Sequence, residues 1–270
     1  MKSPVREPAH TPPQIDPGRG FEWVQDWEMS DEFETVPVVN RWKRRYRWEI
    51  GNRRWLGRKP SFFKDENVEV KNGKMLLYAK EDTAPPNYPP GYGKFSTAFV
   101  RTRKTRRYGY FEIYCHLRDS KISSAFWLTK NTPELWTEID VFEYSTSDKI
   151  NTSGRHFKTL YNMNVHVHRH PHGVKYNDPK IYDARRDLSQ EPIKAGLDWR
   201  EDEIVWYLDD VPVRRYKNRD FHQPLHLQLD SETFPNWFGL PETGGSNRNN
   251  LPSAFEIYYV RTWYRKPIWD

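Results

Sequence analysis

Glu138-Ile139-Asp140-Val141-Phe142-Glu143 places three carboxyls within six residues. On a strand, alternate side chains share a face, so Glu138 and Asp140 lie together while strict alternation would send Glu143 to the opposite side. One extra residue, a β-bulge between Asp140 and Glu143, restores Glu143 to the Glu138 face. The two glutamates would then stand roughly 13 Å apart at Cα. Long side chains leaning together could close the carboxyls to about 5–5.5 Å, the separation used in glycoside hydrolysis with retention. In that chemistry one glutamate is an ionised nucleophile and the other a protonated acid. Crowded carboxyls help, because like charges push one pKa upward.

A polar strand facing solvent would also account for three acids. The neighbours argue for a cleft instead. Trp127 and Trp136 flank the acids, and Asn164, His166 and His168 alternate on a later run. Indoles, amides and imidazoles beside carboxyls suit a sugar-binding face. The histidines of NVHVHRHPH could also be metal ligands. Hydrolysis by two carboxyls needs no metal, so neither a metal nor another cofactor is expected. His166 is expected to bond a sugar hydroxyl or a catalytic carboxyl.

The elements that must position these groups read as short strands. NVEVKNGKMLLYAKE holds two runs around Asn72-Gly73, a strong hairpin signal. YGYFEIYCHLR alternates, and SSAFWLT, TEIDVFEY, NMNVHVHRH, EIVWYLDDVPVRRY, LHLQLDSE and FEIYYVRTWY follow. About ten to twelve strands at this spacing predict an all-β sandwich or jelly roll. Helical periodicity is not evident. Residues 1–20, rich in Pro and Gly, are expected to form a tail that wraps or frays, and 21–270 a single domain. The chain has 270 residues and a net charge of +6, and only 36% of it is hydrophobic, yet it holds 12 Trp, 16 Tyr and 14 Phe. That aromatic load argues against disorder. There is no apolar run long enough for a membrane-spanning helix, and no secretory signal in the sequence as it stands. Cys115, the one cysteine, reads as a buried strand residue.

The bulged EIDVFE segment resembles the E-x-D-x-x-E signature of glycoside hydrolase family 16. YGYFEIYCHLRDSKISSAFWL, AGLDWREDEIVWYLDD and FEIYYVRTWYR are similar to that family's flanking and closing strands, in the same order, over roughly 23–265. The resemblance implies a β-jelly-roll sandwich of two curved antiparallel sheets with a concave substrate cleft. It implies cleavage of β-linked glycans with retention. Glu138 would be the nucleophile, Asp140 its helper, Glu143 the general acid/base, and Trp127 a platform under the sugar. Many members hold a structural calcium through an Asp of the last strand. Tyr258 stands at that position here, so calcium is not expected.

PLHLQLDSETFPNWFGLPE and NMNVHVH resemble the agarase and porphyranase branch, which would put Asn164, His166, Glu232 and Trp237 at the cleft; Trp136, flanking the acids in sequence, is expected there too. Arginine meets sulfate with a planar fork. Basic runs lie at 41–47, 52–59 and 101–107. Arg53 and Arg54 beside Trp55 are expected at the cleft, while RTRKTRR is expected to face outward. These charges favour a sulfated galactan, porphyran, over neutral agarose, which makes a β-agarase the alternative. A non-catalytic jelly-roll lectin would not need both glutamates. Nucleic-acid binding is not expected from so small a net charge. A polymer of this size implies a secreted, periplasmic or cell-surface protein, expected to act as a monomer.

Overall fold

The computed structural model describes residues 6–34, 47–51, 55–171, 173, 175–243 and 251–268. Among them run eighteen strands in chain order: β1 (Phe21–Gln25), β2 (Trp48–Ile50), β3 (Ser61–Phe63), β4 (Val68–Lys71), β5 (Lys74–Glu81), β6 (Phe95–Thr97), β7 (Phe99–Thr102), β8 (Gly109–His116), β9 (Ser124–Asn131), β10 (Leu135–Tyr144), β11 (Leu160–Arg169), β12 (Lys175–Asn177), β13 (Lys180–Asp183), β14 (Ile193–Trp199), β15 (Glu203–Leu208), β16 (Val211–Lys217), β17 (His226–Asp230) and β18 (Ser253–Pro267). The excess over the expected ten to twelve comes partly from three-residue strands such as β2, β3, β6 and β12, which are too short to show alternation.

The strands form two sheets of ten and eight. One runs β16-β15-β14-β8-β18-β5-β6-β3, with β1 and β4 attached, and the other β12-β11-β10-β9-β17-β7-β2, with β13 on β11. Pairing is antiparallel except between β3 and β6. The Asn72-Gly73 hairpin joins β4 to β5, with φ of 52° and 70° at its two central residues. Such a turn matches the twist of the strands it joins.

One apolar core fills the space between the sheets. Ile139, Val141 and Phe142 meet Phe111, Ile113, Cys115, Leu197, Trp206 and Phe255, all fully buried. Residues 6–34 include β1 of the ten-stranded sheet and lie against it: Ile15 and Trp23 pack on Tyr110, Val205, Tyr207 and Trp263, Met29 and Phe33 enter the core, and polar contacts add to these. Arg261, fully buried, donates to both Glu32 carboxylate oxygens at 2.7 and 3.0 Å and to the Glu7 carbonyl. Lys194 pairs with Glu7 and Asp210 at 3.0 and 2.7 Å. Trp23 Nε1 donates to the Ile15 carbonyl. Within the Pro/Gly-rich stretch, Glu7 and Ile15 thus contact this sheet. Tyr258 packs its ring on Tyr114 with the Lys74 ammonium 5.6 Å from it. That cationic and aromatic setting does not suit the oxygen cage of a calcium ion.

Candidate active site

The outward face of the eight-stranded sheet forms the floor of a cleft of about 1600 Å³. The pairings set out its rows. His166, Glu138, Thr129 and His226 follow one another across β11, β10, β9 and β17. Asn164, Asp140, Trp127 and Gln228 form the next row, which Arg101 of β7 and Glu49 of β2 extend. Asn162, Glu143, Ala125 and Asp230 form the third.

Glu143 reaches this face because the register of β10 slips between Asp140 and Glu143 against β11. Val141 and Phe142 are consecutive, and both are fully buried. Burial of both side chains is what the bulge gains, and the third acid returns to the cleft as a result. Asn162 Nδ2 donates to the Glu143 carbonyl at 2.9 Å, which holds the far side of the bulge.

His166 Nε2 lies 3.1 Å from Asp140 Oδ2 and 3.8 Å from Glu138 Oε1, so the imidazole stands between the two acids. Trp136 lies parallel to His166, with ring centroids 6.0 Å apart, and donates Nε1 to Thr129 Oγ1. Trp55 meets Trp127 edge-on at 6.1 Å and Phe63 at 4.8 Å, so two indoles form a corner at the row where Trp127 stands between Asp140 and Gln228. Trp237 stacks on Phe238 at 4.1 Å and lines the cleft together with Phe234.

The structure thus gathers Glu138, Asp140, Glu143, Trp55, Trp127, Trp136, Asn164, His166, Glu232 and Trp237 around one cleft. Arg53 and Arg54 lie outside the described residues. His168 packs edge-on to Trp136.

Arg58, Arg101 and Asp230 also line the cleft, outside the expected set of site residues. Arg58 lies in the 52–59 run, Arg101 in a run expected to face outward, and Asp230 two positions before Glu232. Arg58 is about half exposed (49% of its side chain) and pairs with the buried Glu232 at 3.3 Å. Its guanidinium lies 4.2 Å over the Phe234 ring. Arg101 pairs with Glu49 at 2.7 Å. Asp230 accepts a bond from Trp127 Nε1 at 3.3 Å. The period of two through Gln228, Asp230 and Glu232 was the available signal for Asp230. No comparable local signal marks Arg58 or Arg101, because the cleft side of a cation is set by distant strands.

Burial raises the pKa of Glu138 well above the ordinary carboxylate range, and Asp140 and Glu143 add to it. Burial likewise raises Glu143, reinforced by Asp140 and Glu232 and opposed by Arg58. Asp230 is raised by burial and by Glu232 and Glu143. Burial pushes Glu232 up to about 7 against the pull of Arg58. These acids titrate as a group, so some protons stay bound at neutral pH and the carboxyls are not all ionised together. An acid with a raised folded pKa stabilises the fold below its unfolded value of about 4.3 and loses that contribution as pH rises through the folded value. The melting temperature is therefore expected to fall between pH 5 and 8. Glu232→Gln should flatten that fall in a calorimetric pH series; an unchanged slope would remove Glu232 from the account.

Glu138, Asp140 and His166 place one ligand atom each within 4.8 Å of the others. Those types could hold a divalent ion, although hydrolysis by two carboxyls needs none.

The model for the GH16 domain of β-porphyranases A–D matches residues 23–265. The chain belongs to this glycoside hydrolase family. β-Porphyranase B of Zobellia galactanivorans is 26% identical over 279 residues, covering 96% of this chain and 91% of that protein. The solved porphyranase B from the same organism superposes with a TM-score of 0.77 at 24% identity, covering 98% and 99% of the two chains. β-Agarase B of Zobellia galactanivorans reaches the same TM-score of 0.77 at 17% identity, covering 95% and 98%. The fold is therefore shared by proteins named for different galactans, and the fold alone does not set a preference among them.

Proposed function

We propose that the protein is an endo-acting, retaining glycoside hydrolase that cleaves β-1,4-galactosidic bonds in porphyran, a sulfated red-algal galactan. The observation that carries this reading is the pairing of the bulged Glu138–Asp140–Glu143 strand with Arg58, a half-exposed guanidinium on the wall of the same cleft. Glu138 attacks the anomeric carbon while Glu143 protonates the departing oxygen. A glycosyl ester forms on Glu138. Glu143, now ionised, then takes a proton from water, which displaces the ester and restores both groups. Asp140, bonded to His166, and His166, near Glu138, fix the nucleophile's orientation and charge. Trp55, Trp127, Trp136 and Trp237 offer faces on which sugar rings stack, with Asn164 as a polar partner. Relatives named β-porphyranase, under both the family model and the sequence comparison, support the substrate class.

Arg58 holds a neutral hydroxyl less strongly than a sulfate, since a charge-assisted fork is about twice as strong as a neutral hydrogen bond. Arg53 and Arg54, next to Trp55 in sequence, are further candidates for sulfate. A cleft lying across a sheet face suits internal cleavage of a polymer, and a polymer is met outside the cytoplasm. The protein is proposed to be secreted, periplasmic or surface-bound, and to act as a monomer.

The test is product analysis on porphyran, agarose, κ-carrageenan and laminarin. Sulfated oligosaccharides from porphyran, with little from agarose, are expected. Equal or faster release from agarose would make the protein a β-agarase. Activity on laminarin alone would overturn the galactan assignment. Binding with no turnover on any of the four would favour the lectin reading. Arg58→Ala is expected to raise KM on porphyran about tenfold, as loss of a charged hydrogen bond does, and to leave KM on agarose within about twofold.

A further inference from the structure

Trp206 of β15 belongs to the ten-stranded sheet, across the core from the cleft, and is fully buried. Its indole Nε1 donates to the main-chain carbonyl of Asp140 at 2.9 Å. Asp140 is the last residue in register before β10 slips, against β11 on one side and against β9 on the other. A carbonyl at a slip has lost its ladder geometry and, buried, must find another donor. Trp206 supplies one from the opposite sheet. Its ring is held in turn by the Arg214 guanidinium, 4.3 Å over it, which Asp178 anchors through its carbonyl and carboxylate oxygens.

We propose that Trp206 is a positioning residue for the reaction. Its N–H fixes the Asp140 carbonyl on one side of the bulge while Asn162 fixes the Glu143 carbonyl on the other, and the two together set the offset that aims Glu143 into the cleft. Without the N–H the bulge can shift along β10. The acid then moves relative to Glu138, although each cleft side chain remains present. The proposal rests on the reading of Glu143 as the general acid.

The fold contains its own control. Trp199 is also fully buried, and its Nε1 donates to the Phe221 carbonyl at 3.0 Å, away from the bulge. The experiment measures kcat and KM for Trp206→Phe, Trp199→Phe, Glu143→Gln and the double variant Trp206→Phe/Glu143→Gln. The substrate is whichever of the four polymers the wild type cleaves fastest. Trp206→Phe is expected to lower kcat about 10- to 100-fold, the scale for roughly ångström misplacement of a reacting group, with KM within about twofold. Trp199→Phe is expected to keep kcat within about twofold. The double variant should match Glu143→Gln alone, because misplacing an acid already removed costs nothing more.

If Trp206→Phe does not fold, 3-benzothienylalanine at position 206 replaces the N–H by sulfur in nearly the same shape and reads the same loss. Wild-type kcat in a folded position-206 variant would overturn the proposal. So would a further tenfold loss in the double variant, or an equal loss in Trp199→Phe. Full activity of Glu143→Gln would remove the acid assignment underneath, a failure visible without any Trp206 variant.

Discussion

Glu138→Ser is expected to lower kcat on the cleaved polymer by about 10⁴-fold or more, the scale on which loss of a nucleophile is felt, with affinity for product oligosaccharides within about threefold. The carboxyl lies on the cleft floor between Thr129 and His166 and sits 3.8 Å from the imidazole. Its removal opens space without disturbing the stacking rings on either side. Azide fits that space and attacks the anomeric carbon from the vacated side, which gives an α-glycosyl azide. Turnover at the wild-type rate, or a β-azide, would show that Glu138 is not the nucleophile. Calorimetric titration with the oligosaccharide separates this outcome from a collapsed cleft, since collapse would abolish binding as well.

Glu143→Gln is expected to lower kcat by about 10²- to 10⁴-fold on the polymer, the usual range for losing a general acid. The loss should be much smaller with an aryl galactoside, whose leaving group departs without protonation. Azide now attacks the glycosyl ester on Glu138, so the product is the β-azide; the two variants therefore report opposite stereochemistry. The pH profile gives a second readout. Burial, Asp140 and Glu232 keep the Glu143 proton bound above the usual carboxylate range. Activity of the wild type should thus fall on the alkaline side as that proton is lost, and on the acid side as the nucleophile Glu138, itself raised by burial, takes up a proton. Glu143→Gln carries no such proton and should lose the alkaline limb. A limb retained in the variant would place the titrating acid elsewhere, with Asp230 and Glu232 the nearest candidates.

The bulge was legible because EIDVFE sets two apolar residues side by side where alternation allows one. The Asn72-Gly73 hairpin was legible because both positions demand positive φ. Both are local facts that neighbouring residues encode. The placement of cations was not legible in the same way. Arg101 and Arg107 belong to one basic run, yet Arg101 lines the cleft and Arg107 lies over Tyr108. The difference depends on β7 pairing with β17 and β2, residues more than a hundred and about fifty positions away respectively. The partner of a buried indole is equally remote: sixty-six positions separate Trp206 from the carbonyl it meets.

The ion pairs that fasten residues 6–34 to the outer face differ from those in the cleft in one further respect. Arg261 and Lys194 have side chains only 0% and 4% exposed, so dissolved ions do not penetrate between them and their carboxylates. Arg58 and Arg101 stand partly in solvent, where added electrolyte weakens attraction within a Debye length of about 8 Å at 0.15 M. Ionic strength therefore acts on the two faces unequally. If the polymer is sulfated as proposed, a saline medium would loosen the hold on it and ease its release after each cut, while the ion pairs of Glu7 and Glu32 stay fastened behind it.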